Sequence, residues 1–336
     1  MGAMEGLAKA ELDCAPRAAN VEAMMGELPR TALGFEERFG SEETCVAFLR
    51  AQRWRDGFVC PKCQGTRAWR LRARALDECG ACGHQVSLTA GTVFEGTRKP
   101  LRLWFRVIAQ LLVSKSGCSA MDIARQHGVA YQTAWTWLHK LRSCMDKSGG
   151  DKLTGEVEVD ETYVGGEDEA KYKGRSLRGK KSLVAGAAEC RGDGIGRIRL
   201  GLVESATAAQ LCGFVAATVA SGTSVRTDGL QSYRRLSKNG FEHRRIVIAI
   251  PKLAAKLFPR IHRVFSLLDR WLLGTYQGCA SEKHLKRYLD EFVFRFNRRG
   301  AHNRWSLFDR LVPACFKSVP TYRELTAKAS LQIVAT

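Results

Sequence analysis

The stretch Glu156-Val157-Glu158-Val159-Asp160-Glu161-Thr162-Tyr163-Val164 decides how this chain is read. Polar and apolar residues alternate along it, the period-2 signature of a half-buried strand. Asp160 stands inside that pattern, and a strand-borne aspartate is unfavourable enough to ask for a chemical reason. The alternation recurs from Lys181 to Cys190 and from Gly196 to Val203, giving three successive strands with turn residues between them. Ser205 then caps a helix from Ala206 to Ala220, Ser224 to Thr227 forms a short strand ending at Asp228, and Arg245 to Ile250 reads as another strand. Helices follow at Ile261 to Leu273 and at His284 to Arg298. Strands, helix, strand and further mixed elements make an α/β domain.

Upstream, Ser148-Gly149-Gly150 reads as a linker at which the composition changes. Before it, Leu101 to Ser114 is apolar and aromatic, Ser119 caps a short helix through Gln126, Gly128 marks a turn, and Tyr131 to Met145 forms a longer helix. A second helix carrying Gln132, Thr133, Trp135, Trp137, His139 and Lys140 after such a turn outlines a helix-turn-helix, though an ordinary helical hairpin with Trp135 and Leu138 in its core has the same outline. Further upstream, Cys60-Pro61-Lys62-Cys63 and Cys79-Gly80-Ala81-Cys82 stand fifteen residues apart, the spacing of a four-thiolate zinc site. Four cysteines leave no open coordination position, so the zinc is structural. Arg67, Trp69, Arg70, Arg72 and Arg74 interleave between the pairs and suit either a phosphate-facing ribbon or a solvated strand. Phe35 to Arg53 fits one or two short helices, and residues 1–34 read as a loosely ordered leader.

The charge balance names a class of partner. Lys and Arg number 53 against 34 Asp and Glu, a net charge of +19, which favours a polyanion such as nucleic acid. The N-terminal residues lack the basic flank, apolar run and cleavage site of a secretory signal, so the eight cysteines outside the ribbon are expected to be reduced, buried thiols in a cytoplasmic protein. No apolar run is long enough to cross a bilayer, and no membrane role is expected.

Two acids carry the candidate chemistry. If the strands bearing Asp160 and Asp228 are neighbours, the two carboxylates can share Mg²⁺, which is held by one or two carboxylates together with substrate phosphates. A turn-capping side chain also accounts for Asp228 alone. Beside Asp160, Lys171, Lys173, Arg175, Arg178, Lys180 and Lys181 form a basic loop that either clamps a phosphate backbone or is a solvated hairpin tip. On the last of these helices, Arg287, Arg295, Arg298 and Arg299 are read as facing DNA, and Phe292, Phe294 and Phe296 as core.

The cysteine ribbon, Gly91-Thr92-Val93-Phe94, Thr133-Ala134-Trp135, Val159 through Gly166, Thr227-Asp228-Gly229 and Glu291 through Arg299 occur in an order that resembles one family. It is that of bacterial insertion-sequence transposases which join an N-terminal zinc ribbon to an RNase H-like acidic-triad (DDE-type) catalytic domain. The resemblance implies a mixed-sheet RNase H-like catalytic domain at 151–310, preceded by short helices and a zinc ribbon at 35–99 and a helix-turn-helix-like DNA-binding region at 100–147, with a tail at 311–336. It implies catalytic Mg²⁺ on Asp160 and Asp228, a third catalytic position at His262, and structural Zn²⁺ on Cys60, Cys63, Cys79 and Cys82. DNA contacts are expected at Arg175, Arg178, Lys180, Lys181, Gln132 and Thr133. The activity implied is cleavage at element ends and strand transfer into target DNA by a homodimer or higher oligomer at the bacterial nucleoid. On the residues alone, His262 reads as an ordinary helix-start histidine contacting core or solvent. One departure stands out: Asp269, seven residues beyond His262, replaces the basic residue of the family pattern, and either weakens strand binding or serves as a third acidic ligand. A catalytically inactive relic, a zinc-ribbon DNA-binding regulator and a nuclease without a transfer step are the alternatives.

Overall fold

A computed structural model of the chain describes residues 29–71, 74–146, 151–165, 181–247, 254–277, 282–316 and 320–327. The leader up to residue 28, the linker at 148–150 and the basic loop from Lys171 to Lys180 lie outside the described residues. The chain divides into two compact units, one made of residues up to 113 with 303–319, the other of 114–302 with 320–336.

In the first unit, Thr31 and Ser41 cap helices α1 (Ala32–Phe39) and α2 (Glu42–Arg53), their hydroxyls accepting the backbone N–H groups of Gly34 and Thr44. An antiparallel ribbon follows, β1 (Ala68–Leu71), β2 (Leu76–Cys79) and β3 (Gln85–Ser87), and then α3 (Leu101–Val113). The start of α3 is capped by a residue distant in sequence: the Glu42 carboxylate accepts the N–H groups of Leu101 at 2.7 Å and Arg102 at 3.0 Å. The core is aromatic. Phe308, on the helix Ser306–Ala314, meets Phe35, Phe39, Phe48 and Phe105 with ring centroids 5.2–5.8 Å apart. Residues after 310, read from the sequence as a tail, thus include the end of a helix whose Leu307, Phe308, Leu311 and Val312 are all buried.

The second unit begins with the helix-turn-helix outline. Ser119 and Asp122 close a capping box on α4 (Ala120–His127), Gly128 turns the chain at φ 62°, and α5 (Tyr131–Asp146) follows. Trp137 and His139 of this second helix are buried along α5 and so are not on an exposed face. The reason is packing: α5 lies against a later helix of the same unit, where its Arg142 pairs with Glu291 at 2.8 Å.

The sheet contains β4 (Glu156–Val164), β5 (Ser182–Arg191) and β6 (Gly194–Val203) as an antiparallel meander. After α6 (Ala208–Thr218), β7 (Ser224–Thr227) returns parallel to β4, and β8 (Glu242–Arg245) adds parallel to β7, giving the order β6-β5-β4-β7-β8. This is the mixed sheet of an RNase H-like domain. Two sequence readings shift here. The cap of α6 is Thr207 rather than Ser205, because the Ala206 carbonyl is held outside the helix by the Ser232 hydroxyl at 2.5 Å. The last strand precedes the expected Arg245 to Ile250: its register to β7 selects the charged Glu242-His243-Arg244-Arg245, which an edge strand tolerates, and residues 248–250 lie outside the described residues.

One face of the sheet presents Val157, Val159, Ala185 and Ala187 to α6 and Tyr233. The other presents Val184, Ala188 and Ile198 to two long helices, α8 (Pro259–Tyr276), which follows the short α7 (Ala254–Leu257), and α9 (Glu282–Asn297). Among the described residues no helix is long and apolar enough to cross a membrane.

Candidate active site

Strand pairing brings the two predicted aspartates level. Glu158 on β4 is paired with Arg226 on β7, and two residues further along each chain stand Asp160 and Asp228. Asp228 follows the end of β7, and Asp160 lies within β4 just beyond its last pair with β7, near the edge at which open α/β sheets collect ligands. Asp160 Oδ1 accepts the N–H of Glu161 at 2.9 Å, and Asp228 Oδ1 accepts that of Leu230 at 2.9 Å, so the turn-capping role open to Asp228 is present and engages one carboxylate oxygen.

His262 reaches the same place from the first turns of α8, its Nε2 3.3 Å from Asp160 Oδ2. The contact is proximity without alignment, since this buried nitrogen has no hydrogen-bond partner. Helix and sheet approach closely because Gly186 stands opposite Asp160 on β5: a Cβ there would lie 2.7 Å from Phe265 and 2.8 Å from Ile261 of α8. Asp269, two turns further along α8, is exposed; burial alone raises its carboxyl, with no contribution from Asp160 or Asp228.

The site holds more acid than its surroundings balance. Burial, then the charges of Asp228 and Glu158, push the Asp160 carboxyl up to about 6. Burial, then Asp160 and Asp228, push Glu161 up to about 7 against the opposing hydrogen bond from the Tyr233 hydroxyl at 2.6 Å. Burial pushes His262 down, which favours the neutral ring with a lone pair to offer. Crowded hard oxygen donors beside an unpartnered imidazole nitrogen fit a divalent cation. Among the described residues Asp160, Asp228 and His262 do not converge to within 4.8 Å, so an ion there would need water or substrate oxygens to complete its shell. Sequence reasoning missed Glu158, Gly186 and the Glu161–Tyr233 pair. Glu158 alone had a signal there, since i and i+2 on a strand share a face.

The four cysteines do converge, with their sulfurs all within 4.8 Å, Cys60 to Cys82 at 3.7 Å and Cys63 to Cys79 at 3.5 Å. Two turns of like construction hold them: Gln64 donates to the Cys60 carbonyl at 3.0 Å and Gly83 to the Cys79 carbonyl at 2.9 Å. The Ala81 N–H, the largest influence on it, draws the Cys79 thiol down, while against the opposing Gly65 N–H the neighbouring sulfurs hold the Cys63 thiol up. Arg50 ties the ribbon to α2 through a bidentate pair with Asp77 at 2.8 and 2.9 Å. The donor set and its closure fit a structural zinc.

The predicted DNA contacts are scattered. Arg175, Arg178 and Lys180 lie outside the described residues, and Lys181 is exposed just before β5. Gln132 is exposed on the first turn of α5, where its Nε2 donates to the Tyr322 hydroxyl at 2.9 Å, and Thr133 beside it is half-buried. On the ribbon Trp69 and Arg70 are exposed, while Arg72 lies outside the described residues. Three of the arginines read as facing DNA, on and just after α9, make contacts within the fold. Arg295 donates to the Ser114 and Lys115 carbonyls, Arg298 lies over the Phe294 ring, and Arg299 lies over Phe296 while donating to Ile195 and Gly196.

An RNase H-like sheet with aspartates level on adjacent parallel strands stands in a chain that also carries a four-cysteine ribbon. Residues 152–297 match the ISXO2-like transposase domain and residues 40–85 the transposase zinc-ribbon domain. Two segments of the chain thus match domains described as transposase domains, a zinc ribbon followed by an ISXO2-like domain. The chain is 30% identical over 142 residues to an uncharacterized protein in transposable element ISH50 of Halobacterium salinarum, a match covering 41% of this chain and 45% of that relative. The chain thus spans less than half the length of that curated relative. Among solved structures it is similar to the catalytic core domain of BIV integrase, with 15% identity, 47% of this chain and 95% of that one covered, and a TM-score of 0.30. It is also similar to the Mos1 transposase paired-end complex with left transposon end, at 15% identity, 64% and 79% coverage and a TM-score of 0.28.

Proposed function

We propose that this chain catalyses Mg²⁺-dependent DNA cleavage at the ends of its element and transfer of the freed 3′-hydroxyl into target DNA. The observation that carries the reading is the level pair Asp160 and Asp228, with the unpartnered Nε2 of His262 beside Asp160, inside a segment matched to a transposase domain. Asp160 and Asp228 would hold the magnesium. When bound, it activates the attacking oxygen and neutralises charge on the phosphate undergoing in-line displacement. His262, whose protonation burial disfavours, offers its Nε2 lone pair beside Asp160 Oδ2. The excess of Lys and Arg draws duplex DNA, with the zinc ribbon and the α4–α5 region gripping the terminal repeats. Two protomers would bring two element ends together at the nucleoid.

The test uses zinc-loaded protein, Mg²⁺, and labelled DNA carrying the sequences that flank the encoding gene. Nicking and strand-joined products are expected from the wild type and none from Asp160→Ala. Cleavage that persists in Asp160→Ala would sink the assignment, whereas cleavage without joined products would leave a nuclease. End binding without nicking points to a relic, the reading that Asp269 favours, and Asp269→Lys should then restore activity.

A further inference from the structure

Glu158 is fully buried, 0% exposed, on the strand that carries Asp160 and two residues before it, so both side chains leave the same face of the sheet. A carboxylate buried in that way costs several kcal/mol unless it is paired and hydrogen-bonded. Its partners come from the start of α8. Glu158 Oε2 accepts the backbone N–H groups of Arg260 at 2.9 Å and Ile261 at 3.0 Å, while Oε1 takes Arg260 Nη1 at 3.0 Å and lies 3.9 Å from Arg226 Nη1. The two arginines extend the clamp: Arg260 also donates to the Gly194 carbonyl at 3.2 Å and the Gly192 carbonyl at 2.5 Å, and Arg226 to that of Leu257 at 2.9 Å.

The helix needs this outside help. Its cap position is Phe258, which has no side-chain oxygen, and Pro259 opens the first turn without an N–H. The N–H groups of Arg260 and Ile261 are therefore the donors that a capping side chain would normally satisfy. The strand supplies the missing acceptor, with its negative charge at the positive end of the helix. The next residue is His262, whose Nε2 faces Asp160 Oδ2 one step further along the same strand. Helix and strand thus meet at two successive rungs, the lower one a dense set of charged hydrogen bonds and the upper one the candidate metal site.

We propose that Glu158 is a positioning residue: by capping α8 from the strand, it fixes the helix so that His262 is presented to Asp160. The inference rests on reading Asp160, Asp228 and His262 as the metal-holding group. Glu158→Asp keeps the charge but withdraws the carboxylate from the helix, so geometry can be separated from electrostatics. In zinc-saturated, full-length protein, Mn²⁺ binding followed by electron paramagnetic resonance should weaken about 10-fold in Glu158→Asp, the scale typical of residues that orient metal ligands. In a His262→Ala background the same substitution should change Mn²⁺ affinity by less than about 2-fold, because the side chain it positions is gone. Equal losses in both backgrounds, or none in the wild type, would overturn the proposal. If Glu158→Asp does not fold, Glu158→Gln is compared in the two backgrounds by the same criterion. Should Mn²⁺ bind wild type and Asp160→Ala alike, the metal-site reading has failed. The positioning role is then read in metal-free protein from the ¹⁵N resonances of the His262 ring, which should move in the Glu158 variant; unmoved resonances overturn it.

Discussion

A histidine ring enclosed by Trp135, His284 and Tyr288, with neither nitrogen hydrogen-bonded, resists protonation, and His139 is such a ring. Burial first, then the charges of Arg142, His284 and Arg287, push it down to about 2 from an ordinary 6.5. Between those values the unfolded chain binds a proton that the folded one does not, so stability is retained above about pH 6.5 and lost as pH falls below it. Wild-type protein at pH 5 should be about 2 kcal/mol less stable than at pH 7.5 from this residue alone. Urea unfolding of His139→Phe at the two pH values should show a correspondingly smaller difference, and an undiminished one would contradict the account. At this scale the sequence is legible where an unfavourable residue interrupts a pattern, as Asp160 does in its strand. It is silent where a polar residue has a private tertiary reason to be buried: nothing local marks His139, on the second helix of the helix-turn-helix outline, as core.

Elements depend on single close approaches and single charge pairs. Gly186 lets α8 lie against β5, and Gly186→Val would drive a side chain into Phe265 and Ile261. Overpacking of this kind costs about 1–3 kcal/mol, and the displaced helix would carry His262 away from Asp160. Lowered Tm together with weakened Mn²⁺ binding is therefore expected, and a drop in Tm alone would show that the helix position does not matter to the site. Arg142 on α5 and Glu291 on α9 form an ion pair with 2% and 0% side-chain exposure, supported by the Tyr276 hydroxyl. Arg142→Met strands a buried carboxylate and should cost about 3–5 kcal/mol in chemical denaturation, whereas Arg142→Met with Glu291→Met should recover most of the loss. The strands of the meander were readable because period-2 alternation is local. The placement of β8 and the start of α6 were not, because pairing register and a hydrogen bond from Ser232 decided them. The mate of α5 was equally invisible, since nothing near Arg142 in sequence announces Glu291.

For the whole molecule, metal and chain order matter most. The ribbon strands have four, four and three residues, too few to persist without the staple. Removing zinc with a strong chelator should raise hydrogen exchange across residues 60–87 while leaving β4, β5 and β6 protected; coordinated loss in both regions would mean that the two units are not independent. Both modules were evident in the sequence, since paired cysteines and spaced acids are motifs of chemistry. The return of residues 303–319 to the first unit was not, because it rests on one Phe-rich core assembled from distant segments. That return makes closure of the first unit a long-range event: Phe35, Phe39, Phe48 and Phe105 meet Phe308, and the Val93 N–H meets the Cys315 carbonyl, only across an intervening stretch of about 200 residues. Contacts of such high sequence separation close slowly, so in refolding the aromatic core should form after the local helices and hairpins around it.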